Sequence, residues 1–268
     1  MKVVKAKSFL RSAQLPTVWC PGCGLGTVMG AIVRSIASAG VEKDRVVVVS
    51  GIGCSGRMTT YLDFDTLHTT HGRALAFATG LKLAKPDLFV IVIIGDGDGV
   101  AIGGNHFIHA CRRNIDIKTI MINNSIYGMT GGQYSPTTPI GSSSTTSRTG
   151  NIERPFDVCN LAVAAGAGFV ARGTTYGAVK LQGCIKKALL KRGFSFVEVI
   201  SQCPTYFGKL NRLGKGVEML EYQKEISVDA GKWGSLSEDE REGKFPVGVL
   251  RDLELPVYTT RGSAEQRG

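Results

Sequence analysis

Two sets of residues in this sequence have types and spacings that suit chemistry. The first is Gly95-Asp96-Gly97, followed after 25 intervening residues by Asn123-Asn124. Each group closes an apolar run, so each sits where a strand should end. A glycine turn there presents a carboxylate, and the helix that follows aims its first N–H groups at a bound anion. The next strand brings a side-chain amide oxygen to the same edge. Asp96 and Asn124 are hard oxygen donors of the kind Mg²⁺ prefers, and the ion keeps positions open for phosphate oxygens. A backbone carbonyl from residues 125–127 would complete the octahedron. The pattern describes a metal-bridged diphosphate site.

The second set is sulfur. Cys20 and Cys23 form CPGCG ahead of a helical pattern, and Cys54 lies 31 residues beyond Cys23 in GIGCSGR. Cys203 precedes proline in SQCPTYFG. A C-x2-C pair alone serves zinc, a cluster or a redox couple equally well. Cys54 and Cys203 tilt the balance, because both fall on loops at the expected ligand edge. Four thiolates can hold a 4Fe–4S cluster, with zinc the competing occupant. Cys111, Cys159 and Cys184 lie inside helical patterns among apolar residues, where cysteine acts as a small hydrophobe. His68/His71 and His106/His109 share an HxxH spacing but have no nearby acidic third ligand, so neither pair is expected to bind metal. His71 stands apart, because THGR precedes a helix N-terminus.

At 268 residues, 43% apolar and 20% charged, the chain has the composition of one large or two small globular domains. A core of that size needs no disulfide staples. The opening MKVVKAKSFLRSAQ has no secretory pattern, so the seven cysteines favour metal or redox chemistry and a cytoplasmic location. The longest strongly apolar run, residues 88–94, is far short of the ~18–20 residues that span a bilayer. No membrane attachment is expected. A net charge of +10 admits nucleic acid, a polyphosphate cofactor or an acidic protein as partner. Aromatic residues make up only 7% and the basic residues are dispersed, so nucleic acid is not expected.

Placing these groups on one edge takes a particular architecture. Unalternating apolar runs at residues 45–50, 88–94, 117–122, 168–171 and 194–200 read as strands covered on both faces. Helical patterns fall near residues 24–38, 73–84, 101–113, 156–165 and 176–191. The alternation predicts an α/β fold with a doubly wound, mostly parallel sheet. Right-handed crossovers then bring all strand C-termini to one edge, where open α/β sheets bind ligands. SGIGCSGR, GDGDG and NNSIYGMTGGQ follow the first three strands there. The polar stretch 135–150 is too long for an ordinary connection, so it is functional or mobile. Residues 1–227 are expected to form the ligand-binding domain. Residues 228–268 read as an extended tail lying on the domain or on a partner.

These motifs resemble those of a known family. GDG-x25-NN resembles the diphosphate-binding motif of thiamine diphosphate enzymes. That likeness implies the thiamine-diphosphate-binding fold, with Mg²⁺ held by the side chains of Asp96 and Asn124 and the backbone oxygen of Ile126. It places Gly97, Asp98 and Thr130 against the diphosphate. It also implies cofactor contacts from Ile52, Gly53, Cys54, Ser55, Gly95 and Gly128, with His71 donating to a phosphate or to substrate. CPGCG, the IGCS loop and the late Cys-Pro are similar to the β chain of the 2-oxoacid:ferredoxin oxidoreductases, over residues 19–207. There, such cysteines hold a cluster near thiamine diphosphate.

The resemblance implies oxidative decarboxylation of a 2-oxoacid, with coenzyme A accepting the acyl group and ferredoxin the electrons. NNSIYGMTGGQYSPTTP is most similar to β chains acting on 2-oxoglutarate. Pyruvate, a branched-chain 2-oxoacid, or a zinc-binding scaffold without turnover are the alternatives. Thiamine activation needs a glutamate from a pyrimidine-binding domain, and this chain has strands for one domain only. A separate α subunit is therefore implied, with small additional subunits also in the family's range. Arg57, in GCSGR, would face the distal carboxylate of 2-oxoglutarate, or else coenzyme A phosphates or an acidic α-subunit residue.

Overall fold

An apolar run without alternation makes a strand that is buried on both faces. The computed structural model, which describes residues 6–258, is built on five of them. Helix α1 (Leu25–Ala39) leads into β1 (Val46–Ser50), α2 (Met58–Tyr61) and β2 (Asp65–His68). Helix α3 (Ala74–Ala84) and β3 (Phe89–Gly95) follow, then a single π-helical turn at Gly97–Ile102. Next come α4 (Gly104–Arg113), β4 (Lys118–Asn123) and a small hairpin of β5 (Ile126–Tyr127) and β6 (Gln133–Tyr134). Helix α5 (Val158–Ala164), β7 (Phe169–Thr174), α6 (Ala178–Leu190) and β8 (Ser195–Ile200) complete the main body. The chain continues through α7 (Gly216–Ile226), β9 (Ser227–Asp229), α8 (Ala230–Trp233), α9 (Glu238–Arg241) and β10 (Phe245–Asp252).

The strands order as β2-β1-β3-β4-β8-β7-β10-β9. From β2 to β7 every neighbouring pair is parallel. Successive residues of each strand enter opposite cores. Val46, Val48, Ile91, Ile93, Ile120 and Val197 pack with α1 and α6 on one face. Val47, Val49, Val90, Val92, Met121 and Phe196 pack with α3, α4 and α5 on the other. This accounts for the missing alternation. All five expected strands and all five expected helices are present, with ends shifted by a few residues.

Other elements escaped the sequence pattern. The edge strand β2 is largely exposed, so it carries no apolar run. Helix α7 buries only Met219 and Gln223, too little for a clear stripe. The expected tail goes beyond lying on the domain: β10 pairs antiparallel with β7, Val249 opposite Ala171, and β9 pairs parallel with β10. Residues 259–268 of that tail lie outside the described residues, as do residues 1–5 at the other end. The long polar loop is built rather than loose. Gly141 N donates to Asn151 O at 2.8 Å, and Asn211 ties both backbone groups of Ser143.

One buried ion pair links the sheet to the ligand edge. Arg172 of β7 stands opposite Glu198 of β8, and its Nε donates to Oε2 at 2.6 Å. Both side chains are buried, at 4% and 2% exposure. Glu198 Oε1 also accepts from Asn123 Nδ2 at 2.8 Å, and Arg172 reaches Asp157 as well. Removing one member leaves a buried charge without its partner, which costs about 3–5 kcal/mol. Arg172→Met should therefore lower the urea unfolding free energy by about that much. The double variant with Glu198→Gln should lose clearly less, and equal losses would show that burial of the charge is not the cause.

Candidate active site

Loops after β1, β2, β3 and β4 close around a cavity of about 250 Å³. Ile52, Gly53, Cys54 and Ser55 come from the first loop, and Gly95, Asp96, Gly97 and Asp98 from the third. Asn124, Ile126, Gly128 and Thr130 come from the segment after β4, and His71 from the turn after β2. Every residue expected at the cofactor thus meets at one place except Arg57. That arginine sits at the start of α2, exposed and outside the cavity lining.

Asp96, Asn124 and Ile126 share this wall, as a hard-oxygen metal site requires. Asp96 is 3% exposed, and burial pushes its carboxyl up from the usual range. Two hydroxyls oppose that shift: Ser135 Oγ and Thr137 Oγ1 donate to Oδ2 at 2.6 and 2.7 Å. Asn124 Oδ1 accepts from Ile126 N at 3.3 Å, which folds the turn so that both face the cavity. Gly97 must lack a side chain, because a Cβ would lie 2.3 Å from the Tyr127 ring. Tyr127 also donates its hydroxyl to Gly97 O at 3.0 Å.

Asp98 borders the cavity, but its carboxylate serves the neighbouring loops. Oδ1 accepts from Gly72 N and His71 Nδ1, each at 2.7 Å, and from Ile52 N at 3.2 Å. Burial raises its carboxyl, and those donors pull it back. This contact engages Nδ1 of His71 and leaves Nε2 as the ring nitrogen that Asp98 does not hold. Oδ2 of Asp98 is buried without a hydrogen-bond partner. The space beside it exists because residue 51 is glycine: a Cβ there would fall 1.8 Å from Oδ2.

The four edge cysteines converge beside the same cavity. Burial pushes the Cys23 thiol up to about 12, and Cys203, Cys54 and Cys20 add to the shift by repulsion. Burial likewise takes Cys54 to about 11, with Cys203 and Cys20 contributing. Gly128 lies between two of the sulfurs, since a Cβ there would sit 3.6 Å from Cys54 Sγ and 3.7 Å from Cys203 Sγ. Trp19 Nε1 donates to Cys54 O at 2.8 Å and fastens the CPGC segment to this loop. Yet no three of these sulfurs lie within 4.8 Å of one another. A zinc tetrahedron with 2.3 Å bonds would hold them about 3.8 Å apart.

Among the described residues, one group of three possible ligands does come within 4.8 Å: Asp157, Cys159 and Glu198. Arg172 already bridges its two carboxylates, so the cation there is a guanidinium. Cys111, Cys159 and Cys184 are buried in the core as expected. Sequence reasoning missed Leu25, Tyr127 and Met129 on the cavity wall, and Ser135 and Thr137 behind Asp96. The density of hydroxyls in SPTTP, so soon after NN, was the available signal for the last two.

Residues 51–199 match the thiamine pyrophosphate enzyme family, C-terminal TPP binding domain. The chain is 51% identical over 253 residues to 2-oxoglutarate synthase subunit KorB of Methanocaldococcus jannaschii, covering 94% of each chain. That of Archaeoglobus fulgidus is 61% identical over 198 residues, 74% of each chain. The chain belongs to the thiamine pyrophosphate enzymes, in the branch of the KorB subunits. The same fold appears in a solved 2-oxoglutarate:ferredoxin oxidoreductase from Magnetococcus marinus, with 2-oxoglutarate, coenzyme A and succinyl-CoA bound. The TM-score is 0.88 at 32% identity, over 100% of this chain and 91% of that one. No described helix is long and apolar enough to cross a membrane.

The thiols give this arrangement a chemical signature. In metal-free protein at pH 8, Cys23 and Cys54 should both stay almost entirely protonated, because burial raises both thiols. Iodoacetamide should then label exposed Cys20 first, Cys54 later and Cys23 last, as read by peptide mass spectrometry. Raising the pH toward 10 should speed Cys54 and Cys23 in step with their thiolate fractions. Equal labelling of all three at pH 8 would contradict the burial argument.

Proposed function

We propose that this chain is the cofactor-binding β subunit of a 2-oxoglutarate:ferredoxin oxidoreductase. The enzyme converts 2-oxoglutarate and coenzyme A into succinyl-CoA and carbon dioxide, and passes electrons to ferredoxin. The observation that carries this reading is one cavity with two kinds of donor. Asp96, Asn124 and Ile126 line its wall, and the cysteine sulfurs stand beside Gly128. When bound, thiamine diphosphate supplies the carbanion chemistry that cleaves a 2-oxoacid, and a 4Fe–4S cluster carries electrons away singly.

The chain's own residues hold and shield these groups. Asp96 and Asn124 offer side-chain oxygens to Mg²⁺, and Ile126 its carbonyl. The backbone N–H groups that open the turn at Gly97–Ile102 would offer donors to the phosphates. Cys20, Cys23, Cys54 and Cys203 hold the cluster. Leu25, Ile52 and Met129 supply an apolar wall that would help to keep water from the bound cofactor. His71, fixed by Asp98, presents Nε2 to a phosphate or to the substrate. The glutamate for thiamine activation comes from the pyrimidine-binding domain of an α subunit, so the reaction takes place between chains.

The test is reconstitution with the α subunit under anaerobic conditions, followed by ferredoxin reduction with a panel of 2-oxoacids and coenzyme A. The expected result is fastest turnover with 2-oxoglutarate and a broad brown absorbance near ~400 nm, which a colourless zinc site cannot give. Cys203→Ala should lose most of its iron, and Cys184→Ala should keep it. A colourless complex with no 2-oxoacid-dependent reduction would overturn the proposal in favour of a zinc scaffold.

Substrate choice is tested at one arginine. Arg57 is exposed and makes no ion pair among the described residues, so its guanidinium is available to an anion. If that anion is the distal carboxylate of 2-oxoglutarate, Arg57→Met should lower discrimination against monocarboxylic 2-oxoacids roughly 30- to 1,000-fold. Equal loss with both substrate types would assign Arg57 to coenzyme A or to the α subunit.

A further inference from the structure

The polar loop that follows β6 begins with a turn whose hydroxyls reach the metal carboxylate. Ser135 Oγ and Thr137 Oγ1 both donate to Asp96, and both to the same oxygen, Oδ2. Oδ1 takes no side-chain hydrogen bond among the described residues. Thr137 Oγ1 also lies 2.9 Å from Asn123 Oδ1, which already accepts from Ser125 N, so its single proton goes to the charged acceptor on Asp96. Thr138 Oγ1 donates to Ser125 O at 2.7 Å and accepts from Ser135 N at 2.8 Å. Three hydroxyls of one turn thus join the end of β3 to the end of β4. Those two ends carry all three oxygen donors assigned above to Mg²⁺.

The chemistry of the clamp is selective. A lysine or arginine could fix the carboxylate as firmly, but it would cancel the charge that attracts the cation. A neutral hydroxyl orients Asp96 and leaves its charge intact. Water could do the same only with access, and Ser135, Thr137 and Asp96 are all at least 95% buried. Resting on the assignment of Asp96 to the metal, we propose that the turn at residues 135–138 is the positioning element of the metal site, holding Oδ2 so that Oδ1 is presented to Mg²⁺. Residues that orient a ligand from behind in this way typically cost 10- to 100-fold in metal affinity when lost.

The experiment measures Mg²⁺ and thiamine diphosphate binding to the complete α–β complex by calorimetry, without turnover. Thr137→Val should raise the Mg²⁺ dissociation constant about 10- to 100-fold, and Thr137→Ser should restore it. Ser135→Ala should weaken binding in the same direction, and it carries the test if the valine variant fails to assemble. Ser147→Ala is the control for mere loosening of the loop, because its hydroxyl bonds Gly150 O at 2.7 Å and never meets Asp96. It should leave Mg²⁺ affinity unchanged. Native affinity in both Thr137→Val and Ser135→Ala, or an equal loss in Ser147→Ala, would overturn the positioning role. A native complex that takes up neither Mg²⁺ nor thiamine diphosphate would instead overturn the metal assignment on which it rests.

Discussion

The site depends on the parallel run of β1, β3, β4 and β8, because parallel pairing sends every strand's C-terminal end to one edge. Gly95 lies opposite Ile122, and Asn123 opposite Ile200, so the loops that leave these strands start at the same height. Glycine turns can then bring Asp96, Asn124, Cys54 and Cys203 together without long arms. An antiparallel sheet would send alternate loops to the far side. Hydrophobic burial on both faces fixes this register, since a one-residue slip would carry each apolar side chain to the opposite face and break both cores.

Burial at that edge carries an electrostatic cost, and the two aspartates of GDGDG meet it differently. Asp98 is held at Oδ1 from within the chain by two backbone N–H groups and His71, and its Oδ2 stays unpaired. Asp96 receives only neutral hydroxyls from side chains, so its charge remains uncompensated by any cation of the protein. Both carboxyls are pushed up by burial. A carboxylate kept this dry, and left without lysine or arginine, is poised for a cation from outside. The four thiols share that logic. Burial and mutual repulsion raise Cys23 and Cys54, and a metal that binds thiolate reverses both effects.

Whatever rests on burial or on fixed spacing could be read from the sequence. Strands β1, β3, β4, β7 and β8 announce themselves by apolar runs, and GDG-x25-NN marks the two loops that approach the cavity. Residues that act through a partner were harder to place. Asp98 reads like a phosphate contact, and only the structure adds that His71 and Gly72 donate to it from a loop 26 residues away. Arg57 reads like a cavity residue from its position after IGCS, yet the chain turns into α2 at that point and leaves it exposed, outside the cavity lining. Strand β10 carries its apolar strip in VGVL, but whether such a strip lies on a surface or joins a sheet depends on the edge that β7 offers.

Ile52 and Met129 line the cavity and are still 40% and 43% exposed, so the apolar wall continues past the mouth of this chain. Single exposed apolar residues are ordinary, but these two flank the one place where the oxygen donors and sulfurs meet. A site that must exclude water to strengthen its electrostatics cannot work with that mouth open. The surface that closes it has to be apolar opposite Ile52 and Met129. It must also present the remaining polar groups of the reaction. On the proposed division of the enzyme between two chains, docking of the partner is a condition for dryness as well as for catalysis.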